Sequence, residues 1–299
     1  MKTIKLPVVS FLFIAGAALL GGCVGAESSE ELEGSVGEEA LEGLAVEVEP
    51  VLEAKVAVAC SEIALVNAIN TANADGGGTL DLAAGCTYSI TVPHGGPANG
   101  LPVITTAITF EGTGTTIRRA PGALLAFRIV EVGLTGALTV KAVTLRDGRA
   151  TAFGNGGGIL NNGALTLTGC TLMNNFAGAS ASGGGIYNNG TMTFTSSSVT
   201  GNSAGVAGKG GGIYNNGGTV TVTSTPIEDN NGGLQGGGIF AVGGTMTLTS
   251  SPVTANRSVF IPGGIYRSGG TMTLTTSPVT ANTPTNCAGS PTSVPGCVG

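Results

Sequence analysis

Four segments in the second half of the chain alternate strictly between threonine and an apolar residue. This alternation has the period of a β-strand, because successive side chains of a strand point to opposite faces. The apolar side chains would therefore face a core, and every threonine would face outward. The four segments are Thr191–Thr195, Thr219–Thr223, Thr245–Thr249 and Thr271–Thr275.

A second apolar position follows each alternating segment, and an asparagine comes three residues after it. The same pair also follows an earlier and less regular segment. Each unit therefore predicts a strand, a turn, a second strand and another turn. The pairs are Leu172 with Asn175, Val199 with Asn202, Ile227 with Asn230, Val253 with Asn256 and Val279 with Asn282.

A glycine-rich unit precedes each pair of strands and fixes the period. Its most regular copies, at 183–190 and 210–217, read Gly-Gly-Gly-Ile-Tyr-Asn-Asn-Gly. A period of this size is typical of repeat architectures in which each unit packs only against its neighbours. We therefore predict that each unit is one coil of a parallel β-helix, with glycines of positive φ at its corners. The central isoleucines, 27, 27, 26 and 26 residues apart, are Ile159, Ile186, Ile213, Ile239 and Ile265.

Stacked coils would place equivalent residues in columns, with successive strands about 4.8 Å apart. Two columns would fill the interior, a third would be an aromatic stack, and the aligned asparagines would form side-chain ladders. Cys170 aligns with Ser197, Thr225, Ser251 and Ser277 and is interpreted as a buried thiol without chemistry. The three columns are Leu165, Met192, Val220, Met246 and Met272; Leu167, Phe194, Val222, Leu248 and Leu274; and Leu160, Tyr187, Tyr214, Phe240 and Tyr266.

The same register extends toward the N-terminus with weaker matches. Ala137–Val140 lies 27 residues before Ala164–Leu167, and Thr116–Arg119 corresponds to Thr144–Asp147 at an offset of 28. With these units included, we predict about eight coils between residues 79 and 282.

A helical pattern precedes the repeats, at residues 61–73. Ser61 is a suitable N-cap, and Asp75 with the glycines after it ends the helix. One amphipathic helix ahead of a β repeat is interpreted as a cap that covers the open end of the stack. The apolar positions at helical spacing are Ala64, Leu65, Ala68, Ile69 and Ala72.

Residues 1–22 have the composition of an export signal. Lys2 and Lys5 precede an apolar run, and small residues lead to Cys23. The segment resembles a bacterial lipoprotein signal, which implies cleavage before Cys23 and lipid attachment to that residue. An ordinary secretory signal with an incidental cysteine is the alternative. A transmembrane helix is disfavoured because the apolar run falls short of about 20 residues.

Residues 23–55 are interpreted as the lipidated cysteine followed by an acidic, flexible tether. Ten of the 18 acidic residues of the chain lie here, and no aromatic residue does. Such a self-repelling composition tends to stay extended. The rest of the chain is nearly neutral and has no basic stripe with interleaved aromatic residues, which argues against nucleic acid as a partner.

The other cysteines fit an exported protein. Cys60 and Cys86 flank the first structured segment, and Cys287 and Cys297 flank the last. Two local disulfides, one at each end, are the economical pairing in an oxidising compartment, and the second would close the C-terminal end at 287–297.

The body of the chain resembles a known group of repeat proteins. The likeness covers residues 60–297 and points to bacterial exported right-handed parallel β-helix proteins with polymorphic outer membrane protein-like repeats. It implies an all-β, right-handed parallel β-helix of the pectin-lyase-like type over residues 56–299. It implies no particular activity, because this group is mostly of unassigned function. The resemblance rests on Cys60-Ser61, Asn67–Asn73, Gly76–Leu80, Ala84–Tyr88, Thr115–Arg119 and the Gly-Gly-Gly-Ile-Tyr-Asn-Asn-Gly repeats.

Catalytic chemistry has a narrow basis in this body, since only 10% of the chain is charged. Stacking would put Arg118 near Arg146 and Arg119 near Asp147, as an ion-paired column or as part of a polysaccharide-cleaving site. Cleavage needs either paired carboxylates, or an acidic cluster that holds Ca²⁺ beside a basic residue. The concentrated charges are Arg118, Arg119, Arg128, Glu131, Arg146, Asp147 and Arg149.

Other catalytic and cofactor motifs are missing from the sequence. His94, the single histidine, has no His or Cys at ligand spacing, and no Gly-x-Ser-x-Gly elbow frames a serine nucleophile. The glycine runs lack the Lys-Ser/Thr of a phosphate-binding loop. We therefore expect no catalytic residue, no metal and no cofactor.

The outward threonines form a regular grid whose central column holds Thr193, Thr221, Thr247 and Thr273. A flat hydroxyl grid is suited to a repetitive ligand such as ice or a glycan, although threonine also favours strands without binding anything.

The sequence thus favours a monomeric structural or adhesive module without catalytic activity. Its lipid anchor would place it at the outer membrane or cell surface of a bacterium, and its partner would be a glycan or another surface protein. The alternative is a polysaccharide lyase or hydrolase that uses the arginine patch.

Overall fold

Equivalent residues of successive repeats pair in parallel strands, as the repeat period predicts. In the computed structural model, which describes residues 55–299, Ile186 pairs with Ile159 on one side and with Ile213 on the other. The same pairing recurs along the chain and produces a parallel β-solenoid of about eight turns with one short helix near its N-terminus. The predicted fold class is thereby confirmed.

The described chain contains 19 strands and one helix. In chain order they are β1 Val56–Val58, α1 Glu62–Ala74, β2 Gly77–Leu82, β3 Thr87–Ile90, β4 Ala107–Arg119, β5 Val130–Val132, β6 Ala137–Arg146, β7 Ile159–Asn161, β8 Ala164–Thr168, β9 Thr171–Met173, β10 Ile186–Asn188, β11 Thr191–Thr195, β12 Ser198–Thr200, β13 Ile213–Thr223, β14 Ile227–Glu228, β15 Ile239–Thr249, β16 Val253–Thr254, β17 Ile265–Arg267, β18 Thr271–Thr275 and β19 Val279–Thr280.

A regular coil has three strands, as in β10, β11 and β12. The first strand starts at the repeat isoleucine, the second is the threonine-rich segment, and the third carries the apolar residue that precedes the asparagine. In some coils the first and second strands merge into one, as in β13 and β15. Each coil therefore presents three outward sides, one for each strand.

The glycine corners are confirmed at the start of the first strand. Gly183 has a φ of 70°, and a Cβ there would collide with the Ile186 carbonyl oxygen. The corner between the second and third strands also has positive φ, but serine and threonine occupy it. Ser196, Ser224, Ser250 and Thr276 have φ values of 46° to 49°.

The interior contains the two predicted apolar columns. Met192 and Phe194 are fully buried, and so are their counterparts in neighbouring coils. Leu274 is only half-buried because it lies in the last coil, which has no neighbour on its C-terminal side. The predicted aromatic stack also forms: ring centroids are 4.7 Å apart for Tyr187 and Tyr214, and 4.5 Å apart for Phe240 and Tyr266.

A buried asparagine ladder runs beside this core. Asn202 Nδ2 donates to Asn230 Oδ1 at 3.0 Å, and the same bond links every consecutive pair from Asn175 to Asn282. The Asn202 side chain also accepts from the Asn175 backbone N–H and donates to the Leu172 carbonyl. The ladder therefore satisfies backbone groups as well as its own amides, and the predicted ladder is confirmed.

The N-terminal end is covered as predicted. Helix α1 begins after Ser61, whose hydroxyl accepts from the Ala64 N–H at 3.2 Å, and ends at Asp75. Leu65 and Ile69 are completely buried against the first coils. Val66 is buried too, although the periodicity did not assign it to the apolar face.

The C-terminal residues fold over the other end. Asn286 Oδ1 accepts from both the backbone N–H and the side-chain amide of Asn282, so it terminates the ladder. Cys287 and Val294 are buried beneath this segment. The end of the stack is thus covered by chain rather than left as an unpaired edge.

Candidate functional site

One column of threonines runs along the second strands through the whole solenoid. Sequence analysis placed Thr193, Thr221, Thr247 and Thr273 in it, and the structure pairs these residues in register. The column continues through all the earlier coils, so that eight coils contribute one threonine each. The four additional members are Thr79, Thr109, Thr139 and Thr166. We call the outer surface of the second strands the Thr face.

The flanking positions of the Thr face differ between its two ends. In the last four coils both flanking residues are also threonine, which makes three threonines per strand. In the early coils one flank has small residues and the other has charged ones. These are Gly77, Ala107 and Ala137 on one side and Asp81, Glu111 and Lys141 on the other.

The late part of the Thr face is regular and open. Thr219–Thr223 and Thr245–Thr249 pair without interruption, and the register shifts between β13 and β15 occur before this segment. Thr221 and Thr273 are exposed, and Thr193 and Thr247 are half-buried. Hydroxyls and methyl groups thus repeat about every 4.8 Å between coils and nearly 7 Å along each strand.

Charges on the early part neutralise one another. Glu111 accepts hydrogen bonds from Lys141, at 2.7 Å, and from Lys55. These two ammonium groups lower the pKa of Glu111 to about 2, so the carboxylate stays ionised at neutral pH.

A hollow of about 480 Å³ lies at the N-terminal end of the Thr face. It exists because Gly77, Ala107 and Ala137 have little or no side chain. Asp75, at the end of helix α1, is the one carboxylate among its lining residues, and no arginine lines it. The hollow therefore lacks the charged groups that cleavage of a polysaccharide needs.

The arginine patch forms, but with different partners from those predicted. Arg118 aligns with Arg146, as expected, and Asp147 Oδ2 lies 2.9 Å from a guanidinium nitrogen of each. The predicted proximity of Arg119 to Asp147 is wrong. Asp147 has a φ of 61°, so the chain leaves the strand register there, whereas Arg119 donates to the Leu125 carbonyl at 2.9 Å and lies over the Phe127 ring.

A buried arginine network was missed by the sequence analysis. Arg128 is 5% exposed and donates to Glu131, at 3.2 Å, and to Asn99. Asn99 in turn donates to the same Glu131 oxygen at 2.9 Å. Burial lowers the pKa of Arg128, and the Glu131 carboxylate opposes that shift. Glu131 is three residues after Arg128, and this spacing was the available signal.

His94 pairs with a carboxylate of the capping helix. Its Nε2 lies 2.7 Å from Glu62 Oε1, and the Thr91 hydroxyl donates to the other Glu62 oxygen at 2.8 Å. Partial burial acts to raise the pKa of Glu62, but hydrogen bonds from His94, Thr91 and Val92 outweigh it and lower that pKa. The group ties the loop after β3 to helix α1, and it directs the one nearby hydroxyl to the carboxylate rather than to the imidazole.

The cysteines lie where the proposed pairing needs them. Cα atoms of Cys60 and Cys86 are 5.7 Å apart, and those of Cys287 and Cys297 are 6.4 Å apart, both within the usual range for a disulfide. Cys170 is buried, and this burial raises the pKa of its thiol. Cys23, the predicted lipid attachment residue, lies outside the described residues, as do the signal and nearly all of the tether.

Two findings concern residues 55–299 as a whole. Nowhere in this range do three or more His, Cys, Asp or Glu side chains come together as a metal site requires. No helix in this range has both the length and the hydropathy to cross a bilayer.

Comparison with protein-family models, with curated proteins and with solved structures yields no match to this chain. Functional inference therefore rests on the Thr face, the arginine patch and the loops of the solenoid itself.

Proposed function

We propose that this protein is a non-catalytic β-helix module that adheres to a repetitive ligand through its Thr face. The observation that carries the proposal is the late part of that face, where four successive coils each present three outward threonines in unbroken register. A ligand that itself repeats, such as a glycan chain or ice, would meet the same hydroxyl and methyl pattern at every coil. Since no charged side chain interrupts these positions, such a ligand would not have to displace a strongly hydrated ion.

Polysaccharide cleavage is the second candidate, because Arg118, Arg146 and Asp147 do come together. Asp147 is the one carboxylate of this cluster, and two guanidinium groups neutralise it. Hydrolysis would need a second carboxylate across the scissile bond, and elimination would need an acidic cluster to hold Ca²⁺. The observed geometry fits an ion-paired column better than a reaction centre.

Export and lipid anchoring through Cys23 are also part of the proposal. The signal pattern of residues 1–22 supports them, and two cysteine pairs at disulfide distance fit an oxidising compartment. The finer assignment, to right-handed exported β-helices with polymorphic outer membrane protein-like repeats, is supported by the Gly-Gly-Gly-Ile-Tyr-Asn-Asn-Gly units. In this picture the acidic tether holds a monomeric solenoid at the cell surface.

Binding and turnover screens on the same preparation test the proposal. The full chain is applied to a glycan array and to growing ice, and a set of polysaccharides is assayed for cleavage. We expect binding without turnover, and we expect Thr221→Lys with Thr247→Lys to abolish it, because two ammonium groups disrupt the hydroxyl pattern.

A matched control separates the Thr face from general damage. Thr200→Lys with Thr254→Lys places the same two charges on outward threonines of the third strands. This control should bind as the unaltered chain does. Cleavage of any polysaccharide, or equal binding by both double variants, would contradict the proposal.

A further inference from the structure

The loops that join each third strand to the next first strand stack on one corner of the solenoid. Backbone hydrogen bonds link their tips: Ser180 N–H donates to Ala152 O at 3.0 Å, Ala207 N–H to Ala179 O at 2.9 Å, and Phe260 N–H to Leu234 O at 2.8 Å. The tips therefore form a continuous line along the solenoid axis. The loops span residues 91–99, 120–127, 149–157, 176–184, 203–211, 231–237 and 257–263.

These loop tips expose large apolar side chains that the core does not use. Phe153 is 85% exposed, Val206 is 79% exposed and Leu124 is 98% exposed. Most of the exposed large apolar residues of the described chain lie in these loops, although three strands per coil offer many other outward positions. We call this set the apolar ridge; its members are Val92, Leu124, Leu125, Phe153, Val206, Val259, Phe260 and Ile261.

The charge of the same loops has one sign. None of the seven loops contains Asp or Glu, whereas Arg149, Lys209 and Arg257 lie within them. Arg149 and Arg257 are exposed, and Lys209 is half-buried with its ammonium 4.9 Å from the Phe240 ring. Of the acids that directly precede these loops, Asp147 is already paired with Arg118 and Arg146. Protruding apolar tips with basic residues behind them match an anionic lipid surface, where apolar groups enter the interface and cations meet phosphates.

The apolar ridge and the Thr face lie on different sides of the coil. Val206 is 13 residues after Thr193 and 15 residues before Thr221, which is about halfway around one coil. A solenoid that rests on its ridge would therefore keep the Thr face clear of the bilayer.

We propose that the apolar ridge docks onto an anionic bilayer, with its apolar side chains in the headgroup region and Arg149, Lys209 and Arg257 against lipid phosphates. This inference does not depend on what the Thr face binds. It adds a second membrane contact to the proposed lipid anchor, and it fixes how the solenoid is oriented.

Tryptophan reporters test the docking, since the chain contains no Trp. Phe153→Trp and, separately, Phe260→Trp are made in the full chain, and vesicles of phosphatidylcholine and phosphatidylglycerol with brominated acyl chains are added. Leu134→Trp is the matched control: Leu134 is 87% exposed, close to Phe153, but lies in the turn between first and second strands. Because apolar faces at the interface lie about 5–10 Å deep, we expect the ridge reporters to be quenched at least about twofold more than the control.

Charge reversal gives a second, independent readout. Arg149→Glu with Arg257→Glu, introduced into the Phe153→Trp chain, should reduce its quenching on anionic vesicles, and vesicles of phosphatidylcholine alone should quench the unaltered ridge less. Equal quenching of Phe153→Trp and Leu134→Trp would overturn the proposal, because the N-terminal segment alone would then account for membrane binding. A blue shift of ridge tryptophans that grows with protein concentration in the absence of vesicles would overturn it as well, in favour of contact between copies of the chain.

Discussion

The early and late coils of the solenoid share one pairing scheme but stabilise their stacking in different ways. Residues 79–150 contain ten charged side chains, whereas residues 159–282 contain five. The early coils hold together through ion pairs such as Glu111 with Lys141 and Arg128 with Glu131. The late coils use columns of identical residues: asparagine inside, and threonine and aromatic rings outside. Ladders of like residues need no charges, which leaves the late Thr face neutral and regular.

The largest effect is expected from breaking the buried asparagine ladder. Asn202→Leu would leave the Asn175 backbone N–H and the Leu172 carbonyl without partners inside the protein. At about 1–3 kcal/mol for each orphaned group, the free energy of unfolding should fall by about 4 kcal/mol. Urea denaturation followed by circular dichroism measures it.

The control for this change is the exposed asparagine ladder. Asn189 donates to Asn162 at 2.6 Å and accepts from Asn216 at 2.9 Å, but it is open to solvent. Water can replace these bonds, so Asn189→Leu should cost less than about 1 kcal/mol. Similar losses for both variants would show that the ladder does not act through buried backbone groups.

In the early coils a smaller loss is expected when the arginine network is opened. Arg128→Met removes the partner of Glu131 but leaves the Asn99 hydrogen bond to that carboxylate. Because Glu131 is partly exposed, the cost should be about 2 kcal/mol, below the range for fully buried pairs. Lys141→Met, at a side chain 51% exposed, should change the free energy of unfolding by less than about 1 kcal/mol. If Lys141→Met proved the more harmful variant, the ranking by burial would be wrong.

Acid should loosen the early coils before the late ones. The pKa of Glu111 is about 2 in the folded chain against 4.5 as its ordinary value, and the pKa of Glu62 is lowered too. A lowered folded-state pKa gives stability that is complete above about pH 4.5 and is lost as the pH falls toward 2.

Hydrogen exchange at about pH 5 and about pH 2, corrected for intrinsic rates, should therefore show a modest loss of protection in β4 and β6 and little change in β13 and β15. Uniform loss along the solenoid would refute a special role for the early ion pairs.

The smallest effect is expected at Cys170. Its backbone N–H donates to the Ser197 hydroxyl at 3.0 Å, and its sulfur lies 3.3 Å from the Val140 carbonyl, so it occupies the hydroxyl position of a serine and threonine column. Cys170→Ser should change the free energy of unfolding by less than about 1 kcal/mol. Because burial raises the thiol pKa, alkylation of Cys170 should require unfolding; rapid labelling of the native chain would contradict the buried-thiol interpretation.

The sequence predicts the repeat parts of this structure well because each repeated residue has the same neighbours. The inner columns, the aromatic stack, the asparagine ladder and the capping helix were all predicted by periodicity and are all observed. The extension of the Thr column to Thr139 and Thr166 followed from the match between residues 137–140 and 164–167, but the sequence analysis stopped at Thr193. Threonine repeats that begin without flanking threonines are a weaker signal.

Prediction failed where side chains depart from the repeat. Arg119 was placed beside Asp147 by strand register, but Asp147 stands in a turn with positive φ and pairs with Arg118 instead. The bonds from Arg128 to Asn99 and Glu131 join a loop to a neighbouring coil, and no period encodes them. The apolar ridge was missed for the same reason: its loops differ in length and sequence, and only their stacking aligns Phe153 with Val206 and Phe260.

The central claim is that the late Thr face is a binding surface, and one comparison of isotherms tests it most directly. The ligand found by the screens is titrated against the unaltered chain, Thr221→Lys with Thr247→Lys, and Thr200→Lys with Thr254→Lys. The account predicts that the first double variant weakens the affinity at least about tenfold, equivalent to about 1.4 kcal/mol, while the second leaves Kd unchanged. Equal affinity for all three proteins would show that the ligand binds elsewhere on the solenoid.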